Sequence, residues 1–100
     1  YPDIAPVVLE VSPVVAFERA LAAARAMGWE IVASVPVEGR IEAVATTLLF
    51  GFKDDIVVRV TPAGSGSRVD VRSLSRVGRS DFGTNAKRVR AFLQELKAKG

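Results

Sequence analysis

The sequence predicts an α+β fold, a two-layer sandwich in which two helices cover one face of a five-stranded antiparallel sheet. Apolar residues recur at helical spacing in one segment near each end of the chain, and four segments between them have the alternation or β-branched character of strands. The predicted order is strand, helix, four strands, helix. By analogy with helix-grip or TBP-like topologies, the strand order in the sheet is expected to be 1-5-4-3-2.

The first third of the chain is predicted to form one strand and one helix. Residues 7–11 are expected to be a short strand, and Ser12 and Pro13 suit the start of a helix over residues 13–27. Gly28 suits the left-handed end of that helix. Four apolar residues at helical spacing are expected to face the core: Val14, Phe17, Leu21 and Ala24.

The next two strands are predicted to form a hairpin over residues 29–35 and 40–46. Pairing Val35 with Ile41 keeps the apolar residues of both strands on one face and leaves a three-residue loop, in which Gly39 takes a left-handed conformation. Residues 47–53 allow three interpretations: an extension of the strand, a bulge or an exposed apolar tip.

A second hairpin is predicted over residues 54–61 and 68–75, around a six-residue loop. Matching Thr61 with Arg68 places Val60 opposite Val69 on the core face. The same register puts Arg59 opposite Asp70 on the other face, as an expected cross-strand ion pair.

The last segment is predicted to be a helix capped by Ser80 or Asp81 and ending at Lys97 to Gly100. Its start must be close to the first of the apolar residues that step along one face, because their spacing is already helical there. These residues are Phe82, Ala86, Val89, Leu93 and Leu96.

Composition is typical of one folded domain, with 49% hydrophobic and 25% charged residues over 100 positions. A single domain over residues 1–100 is therefore expected. Because the sequence starts at Tyr1 without an initiating Met, this domain is expected to come from a longer chain. The net charge of +3 is uneven: residues 1–60 carry five basic and eight acidic residues (5 − 8 = −3), and residues 61–100 carry nine and three (9 − 3 = +6). This asymmetry favours an anionic partner for the second half.

The passage from the last strand into the last helix, residues 72–90, is the candidate functional site. This passage is rich in arginine, serine and glycine, which an apolar core does not require. Arginine guanidinium groups and the free N–H groups at a helix start can both bind a carboxylate or phosphate group. Strand alternation puts Arg72 and Arg76 on the outer face and Ser73 and Ser75 on the inner one. The candidate binding residues here are Arg72, Arg76, Ser80, Asp81, Asn85 and Arg88. The alternative is scaffolding, in which Asp81 caps the helix and the arginines pair with nearby carboxylates.

The sequence lacks the residues that several kinds of catalytic and metal-binding site usually require. The chain has no histidine and no cysteine, so common general bases, nucleophile activators and transition-metal ligands are missing. Asp54 and Asp55 point to opposite faces of a strand, so they are interpreted as charges that flank the apolar segment 48–52. No catalytic residue, cofactor or metal site is predicted. The lack of exposed aromatic residues in the basic half argues against nucleic acid, because Phe82 and Phe92 fit the core.

Five motifs resemble the DUF1499 family, a domain of unknown function in bacteria and plant plastids. They are Tyr-Pro-Asp-Ile-x-Pro at residues 1–6, Gly-Trp at 28–29, Ile-Glu-Ala at 41–43, Asp-Asp-x-Val-Val-Arg at 54–59 and the polar tract 72–88. The resemblance implies these motif residues: Tyr1, Pro2, Asp3, Asp54, Asp55, Arg59, Arg72, Ser73, Ser75, Arg76, Gly78, Ser80, Asp81, Gly83, Asn85 and Arg88. Of these, Tyr1 and Asp3 are added to the candidate binding residues of the tract. Related chains often follow membrane-spanning or export segments, which implies a cell-envelope or membrane-associated location through an upstream segment.

Taken together, these patterns predict a non-enzymatic binding domain for an anionic small molecule, lipid headgroup or acidic protein. One alternative is a carrier of an apolar ligand between the sheet and the last helix. Another is a metal-dependent enzyme built on carboxylates at Asp3, Asp54, Asp55 and Asp81. Oligomeric state is not predicted.

Overall fold

The structure, a computed structural model, describes residues 6–46, 51–75 and 82–98, with backbone alone for residues 82–85. It contains the following elements: β1 (Val7–Leu9), α1 (Pro13–Ala26), β2 (Glu30–Val35), β3 (Arg40–Thr46), β4 (Lys53–Ala63), β5 (Gly66–Ser75) and α2 (Phe82–Ala98). The strands form an antiparallel sheet in the order β1-β5-β4-β3-β2. The predicted α+β class, element order and strand order are confirmed, whereas the helix-grip or TBP-like label stays a prediction.

Both helices pack on one face of the sheet and share a single apolar core. Phe17 of α1, Val58 of β4 and Phe92 of α2 belong to the same buried cluster. The rings of Trp29 and Phe92 stack with centroids 5.1 Å apart. The sheet therefore has an inner face covered by helices and an outer face that no described helix covers. Neither helix is long and apolar enough to span a bilayer.

Helix α1 begins at the predicted residue and ends at Ala26, one residue before the predicted end, but its buried stripe is rotated. The Ser12 hydroxyl accepts a hydrogen bond from the backbone N–H of Val15, and Gly28 has a φ of 79°. The expectation that Val14 faces the core is wrong, because its side chain is 73% exposed. Five residues form the buried stripe: Ala16, Phe17, Ala20, Ala23 and Ala24. At 100° per residue, Val14 lies about 120° from the centre of that stripe.

The β2–β3 hairpin differs from the predicted register by one residue. Val35 pairs with Arg40 rather than Ile41, and an irregularity between Ile31 and Ala33 shifts the pairing again. The cause is Pro36, which begins a 3₁₀ turn over Pro36–Glu38 because it has no N–H to donate to a strand partner. Gly39 ends this turn with a φ of 65°, as predicted. A Cβ at that position would lie 2.1 Å from the carbonyl oxygen of Val60.

The β4–β5 hairpin has the predicted register but a shorter loop. Val60 pairs with Val69 and Arg59 with Asp70, as expected, and pairing continues to Ala63 and Gly66. The connection is therefore the two residues 64–65 rather than six. β1 completes the sheet beside the start of β5, where it pairs with Ser67 to Val69. β1 itself stops at Leu9, two residues before the predicted end.

Helix α2 buries the apolar residues that the spacing predicts. Ala86, Val89, Leu93 and Leu96 are buried, and Phe92 is completely buried. The predicted caps Ser80 and Asp81 lie outside the described residues, as does segment 47–50, and the side chain of Phe82 is not described. The second turn of α2 packs on the inner face of β4 and β5, and Arg88 of that turn contacts Asp54 and Ser73.

Candidate functional site

The inner face of the sheet carries a polar set where β4 begins and β5 ends. Asp54 pairs with Ser75 across the strands, and Ile56 pairs with Ser73. Because side chains alternate along a strand, Asp54 lies on the same face as the core residues Ile56 and Val58. The carboxylate of Asp54 is therefore turned towards the helices, and it is 4% exposed.

Arg88 of α2 supplies the positive charge that this buried carboxylate requires. Its Nη1 lies 2.6 Å from Oδ2 of Asp54 and donates a hydrogen bond to Oγ of Ser73 at 3.1 Å. The Arg88 side chain is 11% exposed. The contact therefore ties the second turn of α2 to both β4 and β5.

This contact corrects the interpretation of Asp54 as a flanking surface charge. Asp54 is buried and ion-paired, whereas Asp55 is exposed on the other face, as the alternation predicts. A metal ion cannot be shared by two carboxylates on opposite faces of one strand. Within the described residues, no three carboxylate side chains are grouped closely enough to hold a metal ion.

The outer face of the same two strands carries exposed arginines. Arg72 and Leu74 are exposed there, as predicted from the alternation of β5. The expected ion pair between Arg59 and Asp70 is not formed: Asp70 Oδ2 accepts instead from Nε of Arg68 at 3.2 Å. In the described part of the chain, neither Arg59 nor Arg72 makes a hydrogen bond or ion pair.

The candidate binding residues are thus described in part. Arg72 and Arg88 are both described, and they lie on opposite faces of the sheet. Asn85 belongs to the first turn of α2, and its side chain is not described. Five candidates lie outside the described residues: Tyr1, Asp3, Arg76, Ser80 and Asp81.

Sequence reasoning missed the partnership of Asp54 with Arg88, although a signal was present. Asp54 is in phase with Ile56, Val58 and Val60, so the predicted register already turned it inward. Few buried carboxylates lack a partner, and the neighbouring strand offers serine but no cation. The last helix was therefore the place to look for an arginine adjoining the apolar stripe.

No curated protein matches the chain at a significant level. A family model described as "Protein of unknown function (DUF1499)" matches residues 1–96 of the 100 residues. The motif residues Asp54, Ser73 and Arg88 contact one another on the inner face, whereas Arg59 and Arg72 are exposed on the outer face. With nearly its full length matched, this chain belongs to the DUF1499 family, a family of proteins of unknown function.

Proposed function

We propose that this chain is a non-enzymatic binding domain that recognises a phosphate- or carboxylate-bearing ligand through the arginines of its outer face. The observation that carries the proposal is the state of Arg72 and Arg59, which are exposed and have no partner among the described residues. An arginine that serves as scaffold is paired in the free protein, as Arg88 is. An arginine that binds a ligand has its guanidinium group exposed to solvent in the free protein.

The two open arginines are close enough to act on one ligand. Arg72 lies opposite Val57 on β4, and Arg59 is two residues further along the same strand and face. Diagonal neighbours of this kind have their backbones about 7–8 Å apart, within reach of long side chains. Two guanidinium groups can therefore converge on one anion that has several oxygens. The sheet holds both backbones rigidly, which lowers the ordering cost of binding.

The local charge balance also favours an anion. Arg59, Arg68 and Arg72 share this part of the outer face with Asp55 and Asp70, and Asp70 is paired with Arg68. On these residues, three positive charges and two negative charges leave +1 before any ligand arrives. Leu74, 65% exposed beside Arg72, adds an apolar contact for the body of a ligand.

The two other functions have less support. An apolar carrier needs an enclosed cavity between the sheet and α2, where Val58, Val89 and Phe92 instead form a buried cluster. A metal-dependent enzyme needs free carboxylates, yet the carboxylate of Asp54 is paired with Arg88. Both observations support the binding domain over its alternatives.

The test compares the double variant Arg59→Ala/Arg72→Ala with Arg25→Ala/Arg19→Ala, which removes the same charge from α1. Binding is measured for inorganic phosphate, phosphatidylserine vesicles against phosphatidylcholine vesicles, and a polyglutamate peptide. We expect the outer-face variant to lose at least about tenfold in affinity for one of these probes, and the α1 variant to retain it. The three probes distinguish whether the anionic group that binds belongs to a free anion, a lipid headgroup or an acidic protein.

Binding of none of the probes by the unmodified protein would contradict the proposal. An equal loss in the α1 variant would also contradict it, since the effect would then follow from net charge alone. Added salt should weaken true binding at the outer face, because both arginines are solvent-exposed.

A further inference from the structure

A second concave site lies on the helix side of the molecule, away from the outer face. It is an open cleft of about 300 Å³ between the α1–β2 turn, the end of β3 and the second and third turns of α2. Its lining residues are Met27, Gly28, Trp29, Ala45, Thr46, Lys87, Arg88 and Ala91. This volume is at the lower end of the range for small-molecule sites, so it suits a small ligand.

The charged residues that line the cleft are both cations. Lys87 is exposed, and Arg88 forms part of the wall while its guanidinium binds Asp54 and Ser73 behind the lining. No carboxylate belongs to the described lining. The charge of Arg88 is offset by Asp54, so Lys87 supplies the uncompensated positive charge at the opening.

The rest of the lining is mainly apolar and fixed in position. Trp29 stacks on Phe92 with an interplanar angle of 13°, so the edge that reaches the cleft is held by the core. Gly28 has a left-handed conformation, and a Cβ there would meet no atom within 4 Å.

We infer that this cleft binds a small carboxylate with a short apolar body. The carboxylate pairs with the ammonium group of Lys87, while the body contacts Met27, Ala91 and the edge of Trp29. Thr46 is exposed at the rim of the cleft, where β3 ends. This inference does not depend on the outer-face arginines, because the lining residues come from the helices, the α1–β2 turn and β3.

Trp29 makes the inference directly measurable, since it is the single tryptophan of the chain. Hexanoate is titrated while tryptophan fluorescence is followed, with hexanamide as the uncharged counterpart. We expect a saturable change for hexanoate below about 10 mM, and binding of hexanamide weaker by at least about tenfold. The amide signals of Lys87 and the indole N–H of Trp29 in NMR spectra give a second, independent readout.

Two lysines of the same helix provide a matched pair of variants. Lys87→Glu should lose at least about tenfold in hexanoate affinity, and Lys97→Glu, exposed at the other end of α2, should bind as the unmodified protein does. Ala91→Leu should also reduce binding by filling the cleft. The double variant Arg59→Ala/Arg72→Ala should bind hexanoate normally, which separates this inference from the proposed function.

Three results would overturn the inference. One is the absence of any saturable change in both fluorescence and NMR. Another is equal binding of hexanoate and hexanamide, since the site would then be apolar only. The third is an equal loss in Lys87→Glu and Lys97→Glu, which would indicate a general charge effect.

Discussion

Two arginines of the same polar tract, Arg72 and Arg88, have opposite environments. Arg88 is 11% exposed and ion-paired to Asp54, whereas Arg72 is exposed and unpaired among the described residues. The sheet separates them, because Arg72 belongs to the outer face of β5 and Arg88 reaches the inner face from α2. A cluster that is continuous in sequence is therefore divided by the fold into a structural part and an exposed part.

The difference follows from solvation. A charge on the outer face keeps its water, so it needs no partner and remains available to a ligand. A charge under α2 loses water, so it must be compensated by an opposite charge and hydrogen bonds, as Asp54 and Ser73 provide. Paired charges on the inner face and open charges on the outer face have different consequences when they are removed.

The largest expected effect is that of Arg88→Ala. It leaves the buried carboxylate of Asp54 without its partner, so we expect the free energy of unfolding to fall by about 3–5 kcal/mol. Urea denaturation measures this loss. The control is the double variant Asp54→Ala/Arg88→Ala, which should be more stable than Arg88→Ala because it leaves no buried charge. Equal stability of the single variant and the unmodified protein would contradict the structural role.

A smaller effect is expected for the ion pair of the outer face. Arg68 and Asp70 are both exposed, so a double-mutant cycle with alanine should give a coupling free energy of about 0.2–1 kcal/mol. The same cycle for Arg59 and Asp70 should give a smaller coupling, because Asp70 is paired with Arg68. A stronger coupling of Asp70 to Arg59 than to Arg68 would reverse this assignment.

The smallest effect on stability is expected for Arg72→Ala. The side chain is exposed and has no described partner, so the free energy of unfolding should change by no more than about 0.5 kcal/mol. Thermal or urea denaturation beside Arg88→Ala measures the contrast. A loss of several kcal/mol would mean that Arg72 is also structural, and the distinction between the two faces would fail.

The architecture could be predicted from the sequence because the spacing of apolar residues and the residues typical of turns indicate where helices and strands begin and end. Valine alternation predicted the register of β4 and β5, since a shift by one residue would no longer keep Val58 and Val60 on the same face as Val69 and Val71. The β2–β3 register was less predictable, because Pro36 begins a 3₁₀ turn and the pairing irregularity lies in an edge strand. Val14 was misassigned because four of the five residues in the buried stripe of α1 are small alanines, which mark the stripe weakly in the sequence.

The candidate site was less accessible to sequence reasoning, since it depends on contacts between distant segments. Alternation placed Arg72 on the outer face and Ser73 on the inner one, as the structure has them. The bond from Arg88 to Asp54 joins residues 34 positions apart (88 − 54), and it depends on how α2 lies over the sheet. The cleft beside Trp29 was also not predictable from the sequence, because three separate segments of the chain line it.

The interrupted pairing of β2 has a consequence for self-association. Exposed sheet edges are templates on which further chains can pair, and short or bulged edge strands prevent such growth. Here one edge, β1, has three residues, and the other, β2, carries a register shift between Ile31 and Ala33. Both of these edge strands are therefore poor templates for the addition of another strand.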